Sequence, residues 1–226
     1  MTPPAEGTAD GLEPNGVGGK ADAAAGLTGV APTDAAVASE AASAGKAPLR
    51  VVIVNGSPSD PATSKTVALA DLAADEVRER WDATVARVDV YAIGPDLTGA
   101  ILRDDAGPQA GRALALVEGA DLLLVAVPVF RGSYPGMFKH FLDLIEPYAL
   151  AGKPTLLLAT GGSERHLLVI DHELRPLFAF FQAFVAPVGV YVGAESFDGT
   201  LILDPAVQTR LRLALGDLVP LLGPTR

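Results

Sequence analysis

Asp121-Leu122-Leu123-Leu124-Val125-Ala126-Val127 (DLLLVAV) is apolar after its first residue, with no polar alternation. A strand with one wet face alternates apolar and polar side chains, so this one must be covered on both faces. Four further short, apolar or β-branched segments lie around it: Leu49–Asn55 (LRVVIVN), Ala83–Tyr91, Pro154–Thr160 (PTLLLAT) and Val185–Val192 (VAPVGVYV). The intervening segments read as helices. Ser64 is a candidate N-cap for a helix with Val67, Leu69, Ala70, Leu72, Ala73 and Val77 on its inner face. Gly107–Glu118 is a second helix. Pro135–Glu146 places Met137, Phe138, Phe141, Leu142 and Ile145 on one side, and Lys139, His140, Asp143 and Glu146 on the other. His166–Phe181 contains Pro176, which predicts a kink or break. Asp204-Pro205 opens the last helix, Asp as cap and Pro in the first turn, with Val207, Leu211, Leu215, Leu218 and Val219 facing in. Five such strands alternating with helices predict an α/β fold: a doubly wound, five-stranded parallel sheet of order 2-1-3-4-5.

The 226-residue chain has room for one domain and an appendage. Residues 1–48 are rich in Ala, Gly and Pro and contain no aromatic residue. Side chains that small cannot offset the entropy of ordering the backbone, so a disordered tail is predicted there, with residues 49–226 as the folded domain. An Ala-rich helix over Thr33–Ala44 would have no apolar face to dock. A formal net charge of -10 argues against nucleic acid as a partner. No segment reaches the ~18 to 20 unbroken apolar residues of a membrane span. The start MTPPAEGTAD lacks the basic and apolar regions of a secretory signal, so a cytoplasmic location is expected. With no cysteine, disulfides, thiolate metal sites and cysteine nucleophiles are excluded.

Ligands of such sheets bind beyond the carboxyl ends of the strands, near the switch point. Three loops end there. The first, Gly56 to Thr66, is rich in hydroxyls and runs into a helix start, where free N–H groups and the helix dipole attract an anion. Ser57, Ser59, Thr63, Ser64 and Thr66 could add donors. The loop matches neither the Walker A pattern nor G-x-G-x-x-G, and suits the single phosphate of a mononucleotide. An ordinary capped helix is the alternative. The second, Pro128-Val129-Phe130-Arg131-Gly132-Ser133-Tyr134-Pro135-Gly136, offers flat apolar surface at Phe130 and Tyr134 and a cation at Arg131. A planar ring could lie against it, or both aromatics could simply cover the sheet end. The third, Thr160-Gly161-Gly162-Ser163-Glu164-Arg165-His166, has paired glycines that allow close backbone approach, or serve a plain strand-to-helix turn.

Gly56-Ser57-Pro58 with its Ser/Thr-rich turn, Pro128–Gly136 followed by Lys139 and Asp143, and Ala159–Gly162 followed by His166-Leu167-Leu168 together resemble the NAD(P)H-dependent FMN reductases. The branch most resembled serves two-component alkanesulfonate and methanesulfonate monooxygenases, and the likeness runs from Val51 to about Leu222. It implies a flavodoxin-like fold, FMN with NADPH or NADH as cofactors, and reduced FMN passed to a partner monooxygenase. It also implies a homodimer or homotetramer. Four phenylalanines in seven residues, Phe178, Phe180, Phe181 and Phe184, exceed what one helix face needs, so some could line a subunit interface, or they could sit deep in the core against the sheet. By resemblance, Ser57 and the turn from Thr63 to Thr66 (Lys65 included) hold the FMN phosphate. Pro128, Val129, Phe130, Arg131, Gly132 and Ser133 run beside the ring, and Thr160, Gly161, Gly162 and Ser163 flank its other edge. Where the family often has Arg after G-S-P, this chain has Ser59 followed by Asp60, which weakens a cationic phosphate clamp. His172 matches the position at which the alkanesulfonate branch has a Tyr on a π-bulge, linked there to subunit packing and to flavin acting as substrate; it is a candidate modulator. No catalytic side chain is expected, because hydride passes between cofactors. Three other readings share the topology. A tightly FMN-bound quinone or azo reductase is one. A flavodoxin-type electron carrier is another, disfavoured because Trp81 lies at the far end of the first helix. A receiver domain is the third, disfavoured because it needs acidic residues after strands one and three, where this chain has Asn55 and Pro128.

Overall fold

In the computed structural model, the described residues are 47–225. The predicted tail and the Ala-rich helix Thr33–Ala44 lie outside them, apart from the exposed Ala47 and Pro48. In chain order the elements are β1 (Leu49–Asn55), α1 (Lys65–Arg80), β2 (Ala83–Asp89), α2 (Pro95–Thr98), α3 (Pro108–Glu118), β3 (Leu122–Pro128), α4 (Gly136–Asp143) and β4 (Pro154–Gly161). There follow α5 (Arg175–Phe180), β5 (Phe184–Val185), β6 (Val190–Gly193), the small hairpin β7 (Phe197–Asp198) and β8 (Leu201–Ile202), α6 (Pro205–Gly216) and α7 (Val219–Leu222).

The main sheet is parallel throughout, in the order β2-β1-β3-β4-β5, with β6 continuing along the same edge of β4. This is the predicted flavodoxin-like topology. Successive side chains of a strand point to opposite faces, so each apolar strand feeds two cores. Val52, Val54, Leu123, Val125 and Leu157 pack on one side with Leu114 of α3 and Phe138 and Phe141 of α4. Val51, Ile53, Leu122, Leu124 and Leu156 pack on the other with Leu69 and Val77 of α1 and Leu211 and Leu215 of α6. Complete burial of each such side chain contributes about 1.5–3 kcal/mol.

Both predicted caps are present. Ser64 Oγ accepts the Val67 N–H at 3.3 Å, and Asp204 accepts the Ala206 N–H at 2.8 Å. Five elements differ from expectation. The second strand ends at Asp89 rather than Tyr91, and a 3-10 turn, Val90–Ala92, follows it. The last helix breaks after Gly216 into α6 and α7, with Leu218 between them still buried. The fifth strand is two pieces: Ala186 still donates to the Thr155 carbonyl at 2.9 Å, but Pro187 has no N–H to continue the ladder, which resumes at Val190. The Arg175 guanidinium donates to the freed carbonyls of Ala186 and Pro187, each at 3.0 Å. The fourth helix is shorter than Pro135–Glu146, with Pro135 as its cap, although Ile145 remains buried. The predicted helix His166–Phe181 is a 3-10 turn (Glu164–His166), a π turn (Ile170–Leu174) and α5. In an ordinary helix Pro176 would face the His172 carbonyl, where it cannot donate and its ring collides. The turn widens ahead of it instead, with Arg175 N–H bonding the Ile170 carbonyl. The Phe cluster divides: Phe178 and Phe181 are core, whereas Phe180 is 69% and Phe184 45% exposed. No helix among the described residues is long and apolar enough to cross a membrane.

Candidate functional site

Strands β1, β3, β4 and β6 end at one rim, and a cleft of about 350 Å³ lies there, within the range of small-molecule sites (~300–1,000 Å³). Its walls come from all three loops: Ser57, Ser59 and the run Thr63–Thr66; Pro128 and Val129; and Thr160 to Gly162. Ala194, just after β6, closes it.

The first loop is braced by its own side chains. Asn55, buried at the end of β1, accepts the Ser57 N–H at 3.0 Å and donates to Asp89 at 2.8 Å. Ser57 Oγ accepts the Ser59 N–H at 3.2 Å and the Ser64 hydroxyl at 3.1 Å. The Thr66 and Thr160 hydroxyls meet at 2.7 Å, joining α1 to β4. Ser64 caps α1, whose first turn carries no acidic residue, so the helix start remains favourable to an anion. Asp60 does not oppose this. Its carboxylate accepts the Ala62 N–H at 2.8 Å and does not line the cleft. Lys65 lines the cleft as well, and its Nζ donates to the Ala194 carbonyl at 3.3 Å and sits 5.3 Å from the Phe197 ring centre.

The second loop is built differently. Val129 N–H bonds the Thr160 carbonyl at 2.8 Å. Phe130 and Ser133 then exchange backbone hydrogen bonds of 2.7 and 3.1 Å. Between them Arg131 and Gly132 have φ of 52° and 87°, the signs of a type I′ turn. Glycine adopts that conformation freely; Arg131 does so against the clash of its Cβ. Phe130 is 44% exposed, while Tyr134 packs edge-on against Phe138. Ser133 Oγ donates to Glu173 at 3.0 Å.

The third loop is shaped by Tyr191. Its hydroxyl donates to the Ser163 carbonyl at 2.5 Å, and a Cβ on Gly161 would come within 2.2 Å of that oxygen. Gly161 is therefore required by packing, whereas Gly162 has no heavy atom within 4 Å of where a Cβ would stand and faces the open cleft. Beyond it Glu164 is hydrogen-bonded to Glu195, a contact that raises the Glu164 pKa above the ordinary carboxylate value. Burial raises the Tyr191 hydroxyl, and the same two carboxylates add to the effect.

Of the sequence-predicted residues, Phe130, Arg131, Gly132, Ser133 and Ser163 flank the cleft rather than line it. His172 is exposed on the π turn and does not line it either. Asn55, Ala194, Tyr191 and Glu173 were not foreseen. Only Asn55, a buried amide at a strand end, leaves a trace in the sequence. Trp81 is buried at the C-terminal end of α1 and donates to the Gly223 carbonyl, and it does not line the cleft.

A doubly wound parallel sheet with a hydroxyl-rich, helix-capped cleft at its switch point defines a flavodoxin-like mononucleotide-binding protein. The family model "NADPH-dependent FMN reductase" matches residues 49–198, and the chain belongs to that family. It is an oxidoreductase, an NAD(P)H-dependent FMN reductase. It is 43% identical to the FMN reductase (NADPH) of Pseudomonas aeruginosa over 176 residues, 78% of this chain and 94% of that one. Identity is also 43% to the NADH-dependent FMN reductase SfnE of Pseudomonas putida, with the same coverage. Among solved structures, the apo form of the NADH:FMN oxidoreductase EMOB superposes with a TM-score of 0.64 at 31% identity, covering 74% of this chain and 87% of that one.

Proposed function

We propose that FMN occupies the rim cleft and that the reduced flavin leaves it for a partner monooxygenase. The meeting of three loops in one cleft carries the placement. Ser57, Ser59, Thr63, Ser64 and Thr66 would hold the phosphate with hydroxyl and helix-start N–H groups, and Lys65 would brace α1 against Ala194. Pro128 to Ser133 would run beside the ring, and Thr160 to Ser163 along its other edge. The flavin supplies the hydride-accepting chemistry, and the protein supplies stacking geometry and the exclusion of water. No side-chain acid or base is needed, and His172, exposed on the π turn, acts at most as a modulator.

Release to a second enzyme is supported by the composition of the phosphate end. Hydroxyls and N–H groups bind a dianion less tightly than charged donors do, and the one lysine lining the cleft gives one of its donors to the Ala194 carbonyl. The relatives SfnE and SfnF are both named for reducing FMN with NADH, which supports flavin as the acceptor. Assembly as a homodimer or homotetramer is supported by the exposed Phe180 and Phe184, with Leu167 and Leu168 exposed beside the π turn.

Anaerobic titration with FMN followed by stopped-flow oxidation of NADPH and NADH tests the reading. Expected are reversible binding, loss of flavin on gel filtration, and turnover of free FMN saturating in both substrates. Flavin that stays bound through gel filtration, with ping-pong kinetics, would rule out release. An unchanged FMN affinity in Thr66→Val and Phe130→Ala would rule out the placement.

A further inference from the structure

We propose that Glu173 is a positioning residue for flavin, acting through Ser133 on the strained turn that borders the ring. The proposal rests on the placement of flavin given above. The turn needs an external hold. Arg131 is kept at φ 52°, and the two Phe130–Ser133 backbone bonds close the turn on itself without fixing it to anything else. Beside the packing of Val129 and Tyr134 on the core, two hydrogen bonds attach it to the rest of the protein. Val129 N–H to the Thr160 carbonyl fixes the entering limb to β4. On the returning limb the only side-chain hydrogen bond among the described residues is Ser133 Oγ to Glu173 at 3.0 Å.

Glu173 reaches Ser133 because of the π turn. Each residue of an ordinary helix advances the face by about 100°, so one extra residue in a turn redirects everything after it. Pro176 forces that extra residue, and the widened turn Ile170–Leu174 points Glu173 back toward the loop after β3. The neighbouring acid is engaged differently: Asp171 pairs with Arg175 at 3.0 Å. Glu173 forms no ion pair among the described residues, and its carboxylate is given to Ser133. The chain of cause runs from Pro176 to the wide turn, to Glu173, to Ser133 and so to the flavin-side turn.

The test uses the full chain and the variants Glu173→Ala, Glu173→Gln, Ser133→Ala and the Glu173→Ala/Ser133→Ala double, with Phe130→Ala as a marker of the flavin position. Steady-state kinetics, FMN titration and thermal midpoints are read for each. Expected for Glu173→Ala is a rise of about tenfold in KM and Kd for FMN, the size of one charge-assisted hydrogen bond. Its kcat at saturating FMN and its KM for the nicotinamide nucleotide should stay near wild type, and its thermal midpoint should fall by no more than a few degrees. Glu173→Gln keeps an acceptor oxygen and restores most of the affinity. Ser133→Ala matches Glu173→Ala, and the double variant is no worse than either. Wild-type FMN affinity in Glu173→Ala while Phe130→Ala is impaired would overturn this proposal alone. So would additive effects of the two single variants, or a fall in kcat and thermal midpoint together. Wild-type affinity in both Glu173→Ala and Phe130→Ala would overturn the flavin placement and this proposal with it.

Discussion

The loops after β1 and after β3 border the same cleft and are made in opposite ways. The first has a side-chain hydrogen bond at nearly every turn of the backbone, through Asn55, Ser57, Ser64 and Thr66, and no non-glycine residue at positive φ. The second leaves Phe130 half out in solvent, holds Arg131 in the left-handed region, and has one side-chain hydrogen bond, to Glu173. A phosphate is recognised by donors whose positions must be set in advance, because each N–H and hydroxyl has a direction. A flat ring is recognised by a surface, which needs an edge at the right height rather than an array of donors. With FMN placed as proposed, this difference implies that damage to the first loop should appear in both stability and FMN affinity, and damage to the second chiefly in affinity.

The largest effect is expected at Asn55. Asn55→Ala strips a buried amide and leaves the Ser57 N–H without its acceptor, which costs about 1–3 kcal/mol. A loss of that size lowers the thermal midpoint by several degrees in a domain of this length. FMN affinity should fall with it, read by fluorescence titration. A variant that keeps full affinity despite the lower midpoint would break the claim that the network sets the phosphate donors. Phe130→Ala comes next and sharpens the contrast: a several-fold rise in FMN KM with the thermal midpoint unmoved, because an exposed ring contributes little to folding. Thr160→Val should cost about 1 kcal/mol, the worth of one hydrogen bond to Thr66, with a proportionate loss of FMN affinity. Arg131→Gly should be mildly stabilising, by about 0.5 kcal/mol, since relief at positive φ exceeds the added entropy of glycine in the unfolded chain.

The same contrast governs what could be read from the residues alone. Strands β1, β3 and β4 were legible because each is buried on both faces and so carries no alternation, whereas β2, at the sheet edge, is mostly half-buried or exposed. The helix starts at Ser64 and Asp204 were legible because caps are local chemistry. The hydroxyl-rich wall of the cleft was legible for the same reason: hydroxyls before a helix are consecutive in sequence. Pro187 was visible, and its lack of an N–H was sufficient reason to divide the last strand. Glu173 was not legible, because it meets Ser133 across 40 residues and only by way of a turn widened at Pro176. Tyr191 and Ala194 reach the rim through the divided strand, so an unbroken Val185–Val192 could not bring them into view.

The third loop belongs to neither pattern, and a small effect there tests where it stands. Glu164 is hydrogen-bonded to Glu195, with Arg210 offering partial relief, and its pKa is raised. A carboxyl whose pKa is higher in the folded state binds its proton more tightly there. Its contribution to stability is therefore complete below the ordinary Glu value of about 4.3 and is lost as pH rises through the raised folded value. Glu164→Gln removes that proton and the repulsion that follows its loss. Thermal midpoints of variant and wild type should lie closest at pH 4 and diverge, variant higher, as pH rises past the Glu range. A gap that stays constant with pH would mean that Glu164 and Glu195 do not share a proton. The third loop would then depend on Tyr191 and Gly161 packing alone, which would place it with the first loop as a fixed wall.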